Sequence, residues 1–124
     1  MIRVFDLEKS MAFYQEAFSL ELAERLDFDD FTLAYLKNAE TDFELELTWN
    51  HDQAEPYQHG SAYGHLAVVV DDVEIEHTRF EEAGLAPRDL VEMRHDGKPL
   101  ARIFFVADPD GYQIEVIQRG GRFR

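Results

Sequence analysis

Two glutamates and one histidine stand out by position. Glu46 lies in the middle of an alternating run, with Phe43, Leu45, Leu47 and Trp49 on one face and Glu44, Glu46 and Thr48 on the other. A lone mid-strand glutamate is ordinarily an outward carboxylate on a solvated sheet face. Glu115 is harder to assign to solvent: it shares a face with Gln113 and the apolar Ile117, while Ile114 and Val116 point the other way. His65 opens a strand-like run directly after Gly64, and a single His there is ordinarily structural or exposed. Glu46 and Glu115 occupy like places 69 residues apart. Together, one imidazole and two carboxylates offer nitrogen and oxygen donors. Such a set suits Ni, Zn, Co, Mn or Fe rather than a soft-metal site. No H-x-x-H or H-E-x-x-H spacing accompanies them.

The other histidines, His51, His59, His77 and His95, read as loop or helix-surface residues, and the acidic pairs Asp29–Asp30 and Glu81–Glu82 as solvated charge. No G-x-G-x-x-G, phosphate loop or Ser-His-Asp order occurs, so nucleotide folds and hydrolase triads have no support. The balance of 12 basic against 26 acidic residues leaves a net charge of −14 over 124 residues. That argues against nucleic acid and against an anionic membrane surface, both of which need clustered Lys and Arg. There is no cysteine, which excludes disulfides, thiolate chemistry and Cys-bound zinc. A hydrophobic content of 45% is enough for a folded core. No apolar run approaches the ~18 residues of a membrane span, and no charged-then-apolar leader opens the chain, so the expected location is cytoplasmic.

These residues need elements to position them. Ile2–Phe5 reads as a strand entered without lead-in, Asp6 as a helix N-cap, and 7–18 as an amphipathic helix with Met11, Tyr14, Ala17 and Phe18 at helical spacing. Strands are expected at Phe31–Lys37 and Phe43–Trp49, then a polar loop over 50–62. A second series follows: strand His65–Val70, cap Asp71 or Asp72, helix 73–83 closed by Gly84, and strands Leu90–Arg94 and Ala101–Ala107. The turn D-P-D-G at 108–111 leads to a last strand, Tyr112–Gln118, and a frayed tail, R-G-G-R-F-R. Val4, Asp6, Tyr14, Glu16 and Ala17 fall 66 positions before Val70, Asp72, Phe80, Glu82 and Ala83. The expectation is therefore an α+β chain forming a single domain over 1–124. It would consist of two βαβββ units, residues 1–50 and 63–118, joined by a loop and forming curved mixed sheets.

The segments MIRVFDLEKSMAFYQEAFSLEL, FELELTWN, SAYGHLAVVVDD and FFVADPDGYQIEVIQ resemble glyoxalase I (lactoylglutathione lyase), of the vicinal oxygen chelate superfamily. They run in family order over nearly the whole chain. The resemblance implies a four-ligand metal site with two ligands per unit, in which Glu46, His65 and Glu115 match three. The fourth, a His or Gln in the family, falls two positions before Met1. The intact remaining motifs favour an assigned start at an internal methionine over true loss of the ligand.

The activity implied is isomerisation of the methylglyoxal–glutathione hemithioacetal to lactoylglutathione, which detoxifies methylglyoxal. Glu115 would be the first choice of base, with Glu46 serving the other face or remaining a ligand. Arg3 and Asn50 match positions that hold glutathione. Arg94 and Lys98 lie in a rebuilt basic loop that would also meet it, and Leu100 would line the pocket. The short form implies one divalent metal per site, Ni2+ first and Co2+ or Zn2+ next. It also implies a homodimer whose sites take Glu46 from one chain and His65 and Glu115 from the other. Two other readings stay open. One is a different metalloenzyme of the superfamily, a dioxygenase or thiol transferase. The other is a non-catalytic module that binds a small molecule without metal.

Overall fold

The computed structural model describes residues 1–124. The chain divides into two compact units, the first made of residues 1–61 with 108–110 and the second of 62–107 with 111–124. Each unit is βαβββ.

In the first unit, β1 (Ile2–Arg3), α1 (Leu7–Phe18), β2 (Glu21–Asp27), β3 (Phe31–Lys37) and β4 (Leu45–Asn50) form a helix and a mixed sheet of order β1-β4-β3-β2. β1 runs parallel to β4, and β3 antiparallel to both β2 and β4. Asp6 caps α1 by accepting from Lys9 N at 3.1 Å. The helix ends on Ser19 in the left-handed region (φ 53°), where the Ser19 and Leu20 amides close on the Gln15 and Tyr14 carbonyls. The core of this unit is one face of each element: Val4, Leu7, Tyr14, Ala17, Ala34, Leu36, Leu45 and Leu47 are all buried. Removing Leu47 alone from water contributes about 1.5–3 kcal/mol.

β2 was not anticipated. All seven of its residues are exposed, so its sequence ELAERLD carries no alternation to read. It is the edge of the sheet, and its charges are those that protect an edge from further pairing. β1 is shorter than expected, because the Phe5 amide leaves the sheet to donate to Asp110 Oδ1 at 2.8 Å. β4 starts at Leu45 rather than Phe43, which lies outside it and is half exposed, and it extends through Asn50, the first residue of the expected loop.

The second unit repeats the order with β5 (Leu66–Val70), α2 (Val73–Glu82), β6 (Val91–His95), β7 (Lys98–Ala107) and β8 (Gln113–Gln118), in the sheet β5-β8-β7-β6. β5 is parallel to β8, and β7 is antiparallel to both β6 and β8. Asp72 caps α2 by accepting from Glu74 N and Ile75 N at 3.0 and 3.1 Å. Phe80, Phe104, Val106, Ile114 and Val116 form the core. Residues 96–97 turn the β6–β7 hairpin with both residues at positive φ (50° and 74°), which suits Asp-Gly. β7 therefore begins at Lys98 rather than Ala101. The tail is not frayed at 120–123: Gly120 and Phe123 exchange two backbone hydrogen bonds of 2.8 and 3.0 Å. His77 is not a free surface residue either. Its ring packs edge-on against Phe104 at 5.1 Å, and Nε2 meets the Arg88 carbonyl at 2.8 Å.

Candidate active site

In the second unit, the parallel register of β5 and β8 sets Leu66 beside Ile114 and Ala67 beside Glu115. This brings His65, at the entry to β5, next to Glu115. His65 Nε2 lies 3.1 Å from Glu115 Oε2, although 50 residues separate them in sequence. The carboxylate is mostly covered, with its side chain 12% exposed, while the imidazole is 42% exposed. The Phe105 ring stands edge-on to the imidazole at 5.3 Å and is paired with Glu115 across β7–β8. The pair thus has one apolar wall and one open side.

In the first unit, Glu46 is half-buried on β4, opposite Tyr35 of β3 and two residues before Thr48 on the same face. Thr48 Oγ1 donates to Glu46 Oε1 at 3.5 Å. Tyr35 is held above the ordinary phenol range, first by burial and then by the charge and hydrogen bond of Glu46. Arg3 stands beside Thr48 in the β1–β4 register and is exposed. Asn50 Nδ2 donates to the Tyr57 hydroxyl at 2.9 Å, which fixes its amide.

The predicted residues therefore fall into groups. The structure brings His65 and Glu115 into contact. It places Glu46, Arg3 and Asn50 on β4 and its parallel neighbour β1. Arg94, Lys98 and Leu100 lie in the β6–β7 hairpin, where all three are exposed. There Arg94 is ion-paired with Glu92 and donates to the Gly97 carbonyl at 2.8 Å. Tyr35, Thr48, Tyr57 and Phe105 were not singled out from sequence. Strand alternation and hairpin register carry the signal for Tyr35 and Thr48, but only once the pairing is known.

Neither unit by itself gathers three metal-ligating side chains. The His65–Glu115 pair nevertheless fits a divalent metal. Ligands at bonds of about 2.1 Å and right angles stand about 3 Å apart, and these two atoms are 3.1 Å apart without rearrangement. The donor set of imidazole nitrogen and carboxylate oxygen, with no thiolate in the chain, suits Ni2+, Co2+ or Zn2+.

Comparison with known proteins gives concordant results. The description "Glyoxalase/Bleomycin resistance protein/Dioxygenase superfamily" matches residues 1–116. The chain is similar to the lactoylglutathione lyase of Neisseria meningitidis serogroup A, with 44% identity over 124 residues covering 96% of this chain and 87% of that protein. Among solved structures it is similar to a V278E mutant of glyoxalase I from Zea mays. That match has TM-score 0.82 and 31% identity, and covers 96% of this chain but 43% of the maize chain, so this chain spans under half of the plant protein. It is also similar to the trypanothione-dependent glyoxalase I of Leishmania major, with TM-score 0.74 and 33% identity, covering 95% of this chain and 82% of that one.

Proposed function

The chain belongs to the glyoxalase/bleomycin resistance protein/dioxygenase superfamily, and from that premise we propose that it is a metal-dependent lactoylglutathione lyase, isomerising the methylglyoxal–glutathione hemithioacetal to S-lactoylglutathione. The observation that carries this reading is the contact between His65 and Glu115. It places a carboxylate able to take up a proton beside a nitrogen donor, on one open side of the β5–β8 pair.

The reaction moves a proton from the carbon bearing sulfur and hydroxyl to the neighbouring carbonyl carbon, while the hydroxyl proton passes to that carbonyl's oxygen. Glu46, His65 and Glu115 would hold a divalent ion, Ni2+ first and Co2+ or Zn2+ next, which when bound would supply positive charge to the substrate oxygens. Glu115 takes the proton from the first carbon and returns it to the second, while Glu46 remains a ligand. The apolar Phe105 wall beside Glu115 limits water there, which keeps the proton on the carboxylate between the two transfers. Arg3 pairs with a glutathione carboxylate and Asn50, fixed by Tyr57, with its amide backbone. Arg94 and Lys98 add positive charge, and Leu100 offers apolar surface. These groups act against an overall field of −14.

We place the enzyme in the cytoplasm, where glutathione is kept reduced; no helix is long and apolar enough to cross a membrane. We also propose a homodimer in which Glu46 of one protomer joins His65 and Glu115 of its partner. The test uses chelator-treated protein given methylglyoxal and glutathione and then Ni2+, Co2+ or Zn2+. Thioester absorbance should rise only after metal is added. No rise with any of the three refutes the lyase, and equal ligand binding without metal favours a non-catalytic module. Light scattering checks the dimer.

A further inference from the structure

Arg3 sits on the shortest strand of the first unit. β1 lies at the edge of its sheet and meets β4 through Ile2–Leu47 and Arg3–Thr48, with Val4 N donating to the Thr48 carbonyl at 2.9 Å. A segment with so few ladder bonds opens easily unless another group holds it. Asp110 is such a group. The Phe5 amide donates to Asp110 Oδ1 at 2.8 Å, and Ser10 Oγ donates to Asp110 Oδ2 at 3.3 Å. Phe5 is the residue before the Asp6 cap and Ser10 the fourth after it. In many helices an apolar contact joins these two places and fixes the angle at which the chain enters. Here one carboxylate joins them, and its bond from the Phe5 amide is charge-assisted. Asp110 is itself held: its amide donates to Asp108 Oδ1 at 2.9 Å, and Asp108 Oδ2 accepts from the Tyr14 hydroxyl at 2.7 Å. Residues 108–110 thus pack as part of the first unit. The second unit joins β5 to α2 with its own strand instead. There Gln118, the last residue of β8, donates to the Asp71 carbonyl at 2.6 Å and accepts from Val73 N at 2.9 Å.

We propose that Asp110 is a positioning residue for substrate. By holding the Phe5 amide and the Ser10 hydroxyl it fixes where β1 turns into α1, and with that the place from which Arg3 meets a glutathione carboxylate. The inference rests on the reading of Arg3 as a substrate contact. It adds the group that keeps a two-residue edge strand in register for that contact.

The test measures kcat and KM at saturating Ni2+, beside amide hydrogen exchange of the substrate-free protein. Asp110→Ala removes both contacts. It should raise the KM for hemithioacetal about tenfold, the size of one hydrogen bond to a charged group, and leave kcat near that of wild type. The Val4 amide, whose own bond to Thr48 is untouched, should exchange faster in this variant. Asp110→Asn keeps an oxygen for the Phe5 amide and offers an N–H to Ser10 Oγ, so it should restore KM. In an Arg3→Ala background, Asp110→Ala should raise KM no further. If Asp110→Ala does not fold, Asp110→Glu displaces the carboxylate by one carbon and the same rise in KM is expected. Several outcomes overturn the inference while sparing the lyase reading. One is an unchanged KM when Arg3→Ala does raise it, and another is a loss that falls on kcat instead. The others are unchanged Val4 exchange, Asp110→Asn as impaired as Asp110→Ala, and an effect that persists beside Arg3→Ala. If Arg3→Ala itself leaves KM intact, the reading of Arg3 falls and this inference falls with it.

Discussion

Tyr14 and Phe80 are repeat partners, both buried on the inner face of their helices and about 1% exposed. They differ by one hydroxyl. The Tyr14 hydroxyl donates to Asp108 Oδ2 at 2.7 Å in a buried contact spanning 94 residues. Asp108 is itself only 5% exposed, and its other oxygen accepts from Asp110 N at 2.9 Å. Tyr14→Phe therefore copies the second unit's solution while removing this one hydrogen bond to a buried carboxylate. The ring and its packing against Phe13 at 5.1 Å remain, so no cavity forms and the loss is that of a hydrogen bond to a charged group. Such bonds are worth about 1.5–3 kcal/mol. For a chain of 124 residues melting cooperatively, the unfolding entropy is about 0.26 kcal/mol/K, and the loss corresponds to a Tm lower by roughly 6–12 °C. Calorimetry at neutral pH is the assay, with Phe80→Tyr as the reverse change. A fall of less than about 2 °C would refute the reasoning, because it would mean that the Asp108 oxygen finds an equal partner elsewhere.

Other predictions follow from the same geometry. Glu115→Gln should abolish turnover with fold and oligomeric state intact; surviving activity would move the base to another residue. Asp27 is held below the ordinary carboxyl range, first by the hydrogen bond from Thr32, then by Arg25 and His51, against an opposing burial cost. Its contribution is present above the unfolded carboxyl pKa of about 3.9 and is lost as pH falls through the lower folded value. The stability gap between wild type and Thr32→Val in urea unfolding should therefore be smaller near pH 3 than near pH 5, and a gap that widens on acidification contradicts this. Asp72 accepts from two amides of α2 and Asp6 from one of α1. Asp72→Ala should cost about 1 kcal/mol, and at least as much as Asp6→Ala, in denaturant titration.

What the chain alone determined was local or periodic. Asp6 was legible as a cap, and the second cap was narrowed to Asp71 or Asp72, because an N-cap acts on amides two or three residues away; the structure selects Asp72. The buried faces of β4 and β8 were legible because a strand with one face in the core must alternate. Glu46 and Glu115, in like places 69 residues apart, then made a nitrogen and oxygen donor set with His65, and the resemblance gave it a chemistry. Only the tertiary structure decided the rest. β2 is invisible in ELAERLD because an edge strand exposed along its whole length is under no pressure to alternate. Asn50 and Lys98 passed from loop to strand because hairpin pairing, a contact with another segment, extends β4 and β7. The meeting of His65 with Glu115, and of Glu46 with Tyr35, depends on which strands lie side by side and in what register. Pairing energy is spent between segments far apart in the chain, and a shift of one residue would turn each of these side chains to the opposite face. Residue types are written in the sequence, but the distance of 3.1 Å between an imidazole and a carboxylate is a property of the folded sheet.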